Sequence, residues 1–310
     1  MKLSFVIPVF NEQDSLKQLY SEIIENVTKY EYEIIFVDDG STDDSYTILQ
    51  IIASEDDNVK LIKLRKNFGK SAGLNVGFDA AEGDIVFTMD ADLQDDPKEI
   101  PEFINKLEEG YDMVTGWKVK RRDPISKTWP SKLFNKVTSN TFNLKLRDYN
   151  CGFKGYRKEV INELDIYGEM HRYIPALASS LGFEIAEIPV HHRKREFGKT
   201  KYGSERYLRG FLDLLTVKLV TAYIHSPLYL FGRVGFGFGI IGFVIALYLS
   251  VMKLGFGQPL YNRPLLYLAT LLMIIGLQFF SIGLLGELIV NRNREGNKKN
   301  NISIAEKINF

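Results

Sequence analysis

The sequence has little cysteine and no net charge. Its single cysteine, Cys151, rules out an internal disulfide framework and fits a reducing compartment. Its 39 basic and 39 acidic residues cancel, so no overall field draws it towards nucleic acid. The opening stretch, Met1 to Pro8, has an apolar run too short for a signal peptide and reads as a first β-strand. Residues 1–225 lack any apolar run long enough to cross a membrane and have the make-up of a soluble domain.

The remainder is different. Leu228 to Met252 is apolar apart from Arg233, and Pro264 to Val290 is apolar apart from Gln278 and Glu287. Each is long enough to span a bilayer, which needs about 20 residues. A buried core helix is the alternative for one such run; two in tandem favour a membrane hairpin. Basic residues flank it on both outer sides: Arg193, Lys194, Arg195, Lys199, Lys201, Arg206, Arg209 and Lys218 before, and Arg292, Arg294, Lys298, Lys299 and Lys307 after. The connection carries only Lys253 and Arg263. The positive-inside rule then predicts a multi-pass protein of the cytoplasmic (inner) membrane, with the N-terminal domain and the C-terminus both cytoplasmic. Between Ser204 and His225, apolar residues alternate with Arg206, Arg209, Asp213 and Lys218, the pattern of a helix lying in the interface against anionic lipid. The predicted organisation is 1–203 catalytic domain, 204–227 juxtamembrane amphipathic helix, 228–290 transmembrane hairpin and 291–310 basic tail.

Two familiar phosphate signatures fail on context. Gly237-Phe238-Gly239-Ile240-Ile241-Gly242 matches G-x-G-x-x-G but lies in a span with no βαβ unit around it. Gly235 and Gly239 form G-x-x-x-G, which serves close packing between spans or between protomers. Gly69-Lys70-Ser71 ends like a P-loop, but Leu64 stands where the first glycine is needed, leaving Lys70 as a possible anion contact at a helix start.

In the first 100 residues, strand-like runs (Leu3–Val9, Tyr32–Val37, Val59–Leu64, Ile85–Met89) alternate with helical ones (Asp14–Lys29, Asp43–Ser54, Ser71–Ala81). That order predicts an α/β domain with a mostly parallel sheet. Ligands of such sheets bind beyond the carboxyl ends of the strands. Polar clusters sit at those ends: Asn11 and Glu12, Asp38 and Asp39, Asn67 to Lys70, then Asp90 and Asp92. In Asp38 to Asp43, Ser41 or Thr42 is a candidate helix cap. Asp90 and Asp92 at spacing i, i+2 would point the same way from a strand end, and two converging carboxylates call for a hard divalent cation. The competing reading is an acidic turn, with Asp92 or Asp96 capping a helix that starts near Pro97.

Four segments together, "VIPVFNE" (6–12), "VDDGSTDDS" (37–45), "RKNFGKSAGLNVGFDAAEGD" (65–84) and "MDADLQDDP" (89–97), resemble the GT-A glycosyltransferases of family 2. "ADLQ" and the two-span C-terminus are similar to the polyprenyl-phosphate group, which includes undecaprenyl-phosphate glucosyltransferases and dolichol-phosphate mannose synthase. The resemblance implies a Rossmann-like GT-A fold and transfer of a sugar, glucose by preference, from a nucleotide donor, UDP by preference, to undecaprenyl phosphate for envelope glycan modification. N-acetylglucosamine, mannose, galactose or an aminoarabinose type are the other sugars. It implies that Pro8, Phe10 and Glu12 line the nucleotide pocket and that Val37 and Asp39 meet the base. Asp90 and Asp92 become the DxD pair holding Mg2+ or Mn2+, with Ala91 beside them and Gln94 facing the sugar or acceptor phosphate. In "REFGKTKYG" (195–203), Arg195 and Lys201 would clamp phosphate oxygens, with Thr200 in place of the family's serine. Arg121 and Arg122 would close over the diphosphate, or else form a solvated basic loop.

On the acceptor side, "LRDYNCGFKGYRKEV" (146–160) supplies Asp148 as catalytic base or acceptor-orienting group. The alternative is a surface carboxylate paired with Arg147 or Arg157. A phosphate monoester is already largely dianionic at neutral pH, its second pKa being about 6, so no base need be required. "GEMHRYIPALA" (168–178) matches a helix beside the acceptor site in the family, and His171 within it reads as structural. The resemblance also permits a homotetramer. Two rivals are weaker. A processive polysaccharide synthase would carry Q-x-x-R-W, a context that Trp117 and Trp129 lack, and a degenerate membrane scaffold would not need an intact DxD.

Overall fold

The structure, a computed structural model, describes residues 1–119, 144–193, 227–259, 263–293 and 304–309, together with Thr138, Ser139, Phe142 and Val217. The chain forms two compact units: Met1–Val217 with Asn301–Phe310, and Lys218–Asn300.

The first unit is built on alternating strands and helices. They run β1 (Lys2–Val9), α1 (Leu16–Val27), β2 (Glu31–Asp38), α2 (Ser45–Glu55), β3 (Val59–Leu64), α3 (Lys70–Ala80), β4 (Ile85–Thr88), α4 (Ile100–Glu108), β5 (Met113–Lys118), β6 (Lys154–Arg157), α5 (Lys158–Glu163), α6 (Ile174–Ser180) and β7 (Ile185–Val190). The predicted strands and helices recur within two residues at nearly every boundary. The β-branched runs are buried on both faces, as central parallel strands must be. Helix α1 buries Leu16, Leu19, Ile23 and Val27, one stripe at helical spacing. Rings of Phe5 and Phe87 stack at 5.2 Å, and Phe103 meets Phe153 at 4.3 Å, welding β1, β4, α4 and the entry to β6 into one core.

With a last strand, β8 (Ile304–Ile308), the sheet order is β7-β5-β6-β4-β1-β2-β3-β8. Strands β1 to β4 pair in parallel, as do β5 and β7, while β6 runs antiparallel between β4 and β5. Strand β8 comes from the end of the chain and pairs antiparallel with β3. Asn309 fastens it, donating to the carbonyls of Ala53 and Val59 at 2.7 and 3.1 Å. Residues read as a basic tail thus extend the sheet.

The second unit is a hairpin of α7 (Pro227–Phe256) and α8 (Pro264–Asn293). Both helices are long and apolar enough to cross a membrane, and only 17% of each apolar stretch is buried within the structure, unlike a soluble core helix. The glycines close the hairpin on itself. A Cβ on Gly276 would sit 2.6 Å from the Gly235 carbonyl and 2.8 Å from the Gly239 nitrogen, and one on Gly242 would sit 2.8 Å from the Ala269 carbonyl. The G-x-x-x-G pair therefore packs one span against the other.

At the amino ends of the strands lies a charged clamp. Glu33, 2% exposed, accepts from Ser4 Oγ at 2.5 Å and from the Glu82 N–H at 2.6 Å, and pairs with Lys60 at 2.9 Å and Lys2 at 3.4 Å. Burial alone would raise the Glu33 pKa, but these donors outweigh it and hold it below its ordinary value of 4.5. Glu82, bonded to Lys2 and Lys60, is drawn down to about 2. Carboxylates depressed on folding stabilise above their unfolded pKa and lose that contribution as pH falls through the folded value. Stability should therefore be flat above about pH 5 and decline towards pH 2. Removing the acid in Glu33→Ala should cost about 2–3 kcal/mol at neutral pH and shrink the acid-side decline. Urea unfolding of the detergent-solubilised protein across that range measures both; an unchanged acid limb in Glu33→Ala would refute the assignment.

Candidate active site

The four polar loops that follow β1, β2, β3 and β4 meet at one edge of the first unit's sheet, and hydrogen bonds lace them together. Asn11, in the left-handed region at φ 53, donates its N–H to Ser41 Oγ at 3.0 Å and accepts from the Thr42 N–H at 2.7 Å. The Glu12 N–H reaches Ser45 Oγ at 2.9 Å. Asp38 accepts the Ser41 N–H at 3.2 Å, holding the turn that follows β2. Both oxygens of Asp39 accept from the third loop, the Phe68 N–H at 2.7 Å and the Gly69 N–H at 2.8 Å. Gly40 is required at φ 70, and a Cβ there would lie 2.6 Å from the Lys66 backbone. Neither Ser41 nor Thr42 caps α2; Asp44 occupies that position without a side-chain cap bond. Burial raises both Asp38 and Asp39. Pro8, Phe10 and Glu12 are half-buried at the rim, whereas Val37 is wholly buried in β2.

The acid loop divides its labour. Strand β4 stops at Thr88, so Asp90 and Asp92 lie beyond it in a turn where Leu93 has φ 60. The alternation of a strand therefore does not aim them. Asp90 forms an ion pair with Lys70, the first residue of α3. Burial opposes its charge, yet Lys70 holds the carboxyl well below the usual range. Gly152 packs flat against this carboxylate, since a Cβ would approach Asp90 Oδ2 to 2.6 Å. Asp92 is 8% exposed and accepts the Gln94 N–H at 3.2 Å. Ala91 is buried, and its carbonyl accepts from Ser15 Oγ at 2.6 Å, tying the loop to the start of α1. Asp95 braces the loop from beneath by accepting the Asp90 N–H at 3.2 Å; burial, with Asp90 adding to it, pushes its pKa up to about 6. Asp96 is the helix cap, accepting the Lys98 N–H at 3.1 Å just ahead of Pro97. Capping thus accounts for Asp96 and leaves Asp90 and Asp92 for another purpose.

Gln94 is held by the segment that follows β7. Its Nε2 lies 3.3 Å from His192 Nε2, and its backbone carbonyl accepts the Arg193 backbone N–H at 3.0 Å. Arg193 is anchored in turn to Glu22 at 2.5 Å and Asp96 at 2.6 Å.

On the other side of Asp90 the chain builds a pocket from Lys70, Asp90, Asn150, Lys154, Tyr156 and His171, among others. His171 is buried, with Nδ1 3.0 Å from Ser71 Oγ, and burial lowers its pKa well below 6.5, so the ring is neutral. Asp148 is only 3% exposed, which removes the surface-carboxylate alternative. Its N–H donates to Glu187 at 2.9 Å, and its Oδ1 accepts the Asn150 N–H at 3.1 Å. Arg147 lies over the Trp117 ring at 4.4 Å, and Arg157 donates to the Leu107 and Tyr111 carbonyls. Burial works against the charge of Lys118, and the carboxylates of Asp95, Asp148 and Asp90 help to restore it. Lys118, Lys154, Asp95 and Ser71 are the members that sequence reasoning missed, and His171, read there as structural, is buried against Ser71. A lysine inside the apolar, aromatic stretch Cys151 to Tyr156 was the available signal. Arg121, Arg122, Arg195, Lys201 and the amphipathic segment 204–225 fall outside the described residues, apart from Val217.

The donor set suits a hard divalent cation. Asp90 and Asp92 offer two carboxylates at one strand end, and the ammonium against Asp90 shows that the position takes positive charge. Among the described residues no three His, Cys, Asp or Glu side chains cluster. The pair matches an ion that takes one or two carboxylates and fills its shell with substrate phosphates and water.

Comparison with known proteins agrees with this arrangement. Residues 4–165 match the family described as "Glycosyl transferase family 2". The dodecaprenyl-phosphate galacturonate synthase of Rhizobium johnstonii is 36% identical over 296 residues, covering 93% of this chain and 88% of the relative. The undecaprenyl-phosphate 4-deoxy-4-formamido-L-arabinose transferase of Pseudomonas fluorescens is 39% identical over 289 residues, covering 92% and 83%. Among solved structures, glucosyl-3-phosphoglycerate synthase from Mycobacterium tuberculosis, in complex with Mn2+, UDP and phosphoglyceric acid, superposes with a TM-score of 0.56 at 19% identity, covering 70% of this chain and 78% of that one. That likeness establishes the GT-A type of α/β fold. With its sequence matched across nearly its whole length and its acid loop at the expected sheet edge, the chain belongs to glycosyl transferase family 2.

Proposed function

We propose that this protein transfers a sugar from a nucleotide-sugar donor to a polyprenyl phosphate at the membrane surface. The observation that carries the reading is the acid pair Asp90 and Asp92, set at the carboxyl edge of a GT-A sheet between the laced β1–β2 loops and a lysine-lined pocket. The relatives named for dodecaprenyl- and undecaprenyl-phosphate support the acceptor class. Their sugars, galacturonate and 4-deoxy-4-formamido-L-arabinose, shift the donor expectation from glucose to a modified sugar.

In this reading the loops after β1 and β2 receive the nucleotide, with Pro8, Phe10 and Glu12 at the rim and Asp39 holding the β3–α3 loop in place. Asp90 and Asp92 would hold Mg2+ or Mn2+, which when bound neutralises charge on the departing diphosphate. Lys70 leaves Asp90 for a phosphate oxygen, aided by the positive end of α3. Asp95 and Gln94 keep the loop in shape. Asp148 orients the acceptor side, its carboxylate favouring the charge of Lys118 and Lys154 without contacting Lys154. The apolar hairpin anchors the enzyme in the cytoplasmic membrane. Both of its flanks belong to the first unit, which fits an even number of crossings and a cytoplasmic active site.

Three outcomes follow. Asp92→Asn should abolish transfer while leaving the circular-dichroism spectrum and membrane fractionation unchanged; full turnover by the folded variant, or in excess chelator, would remove the metal assignment. In a panel of purified nucleotide sugars with undecaprenyl phosphate, a uronate or 4-amino-pentose donor should give more lipid-linked product than UDP-glucose, and no product from any donor would sink the transferase reading. If Asp148 positions rather than abstracts, Asp148→Asn should slow single turnover by less than about 10²-fold, the lower bound of a general base. Its pH–rate limb near the phosphate pKa should persist, and a limb that vanished would instead make Asp148 the base.

A further inference from the structure

Lys154 is an ammonium in an unusual place. It is 4% exposed and sits in β6, between Phe153 and the small Gly155. Its hydrogen-bond partner is neutral: the ammonium donates to the Cys151 carbonyl. Among the described residues no carboxylate lies within 4 Å of it. Burial pulls its pKa down to about 8, and Lys70 nearby adds to the fall. A buried cation without a close counter-ion is costly, and proteins keep one where a ligand supplies the charge.

The surroundings say what charge is missing. Lys154 lines the same pocket as Lys70 and Asp90, and the amino end of α3, which no side chain caps, opens beside it. The pocket is a small cavity that opens to solvent, too small for a nucleotide. Its one carboxylate, Asp90, is the residue assigned to the donor's cation. Once Asp90 is committed there, Lys154 and the start of α3 face the pocket with no carboxylate from its lining.

We infer that Lys154, with Lys70, forms the subsite for the phosphate oxygens of the acceptor. This rests on the transferase reading above. A phosphate held there lies beside the group that carries the departing diphosphate. One of its oxygens attacks the anomeric carbon; the new carbon–oxygen bond forms as the bond to the diphosphate breaks, and that electron pair leaves with the nucleoside diphosphate. Two ammoniums keep the acceptor dianionic, so no proton has to be removed. The donor diphosphate is the other source of phosphate oxygens, and the test separates the two.

The experiment is steady-state kinetics of Lys154→Met and Lys154→Arg in detergent with a short-chain prenyl phosphate, beside calorimetric binding of the nucleotide-sugar donor. Methionine keeps the length without the charge, so its thermal midpoint should equal or exceed that of the parent. The acceptor KM should rise roughly 10- to 100-fold, the range for a lost charge-assisted contact. Donor Kd should change less than about twofold, and Lys154→Arg should recover most of the loss. A parental acceptor KM in Lys154→Met overturns the inference while the transferase reading stands. So does a weakened donor with acceptor KM unchanged, which would assign the subsite to the diphosphate. If Lys154→Met fails to fold, Lys154→Gln takes its place; if neither folds, the charge serves the fold and the inference is likewise overturned. A parent protein that glycosylates no prenyl phosphate would instead defeat the transferase reading itself.

Discussion

The pairing of Lys70 with Asp90 is the contact on which the site depends. Asp90, Asp92 and Asp95 crowd one turn, and like charges at that spacing would push it open. Three compensations keep it closed. The Lys70 ammonium neutralises Asp90 from the start of α3. Asp95 is drawn towards its protonated form by burial and by Asp90. Asp96 turns away to cap the helix that follows. The loop therefore spends Asp95 and Asp96 on its own shape.

Lys70 can play this part only because its loop is held from the other side. Asp39 accepts two successive N–H groups, those of Phe68 and Gly69, and so sets where α3 begins. Gly40 allows the β2 loop to pass over Lys66, where a side chain would collide. The run Asp38-Asp39-Gly40-Ser41-Thr42 is thus a junction as much as a binding surface. At the opposite ends of the strands, Glu33 gathers Lys2, Ser4 and Lys60, fixing the register from which the carboxyl edge is displayed.

The chain departs from the first unit into an apolar hairpin and comes back to add β8 to its sheet. This return explains why a tail with a basic composition carries the strand-forming run Ile304-Ala305-Glu306-Lys307-Ile308. The hairpin closes by backbone contact at Gly235, Gly239, Gly242 and Gly276, since lipid gives helices no hydrophobic reason to associate and close packing must supply it.

Local pattern was enough for much of this. Period-two and helical stripes identified the strands and helices of the first hundred residues, because each segment's buried face repeats at its own spacing. Two uninterrupted apolar runs marked the hairpin by length alone. The motifs around Asp39, Asp90 and Asp92 marked the carboxyl edge of the sheet, since crossover connections put every parallel strand's carboxyl end on one side. What the sequence could not contain was long-range pairing. Lys70 and Asp90 are 20 positions apart, Ser71 and His171 are 100, and nothing local links them. Burial of Asp148 and Lys154 is likewise a property of the surrounding elements, not of their own neighbours in the chain. The strand alternation expected to aim Asp90 and Asp92 ended one residue too early, at Thr88. The sequence by itself determined the elements and the chemistry at their ends. Only the tertiary structure decided which charges face one another, because that is settled by the packing of strands and helices drawn from distant parts of the chain.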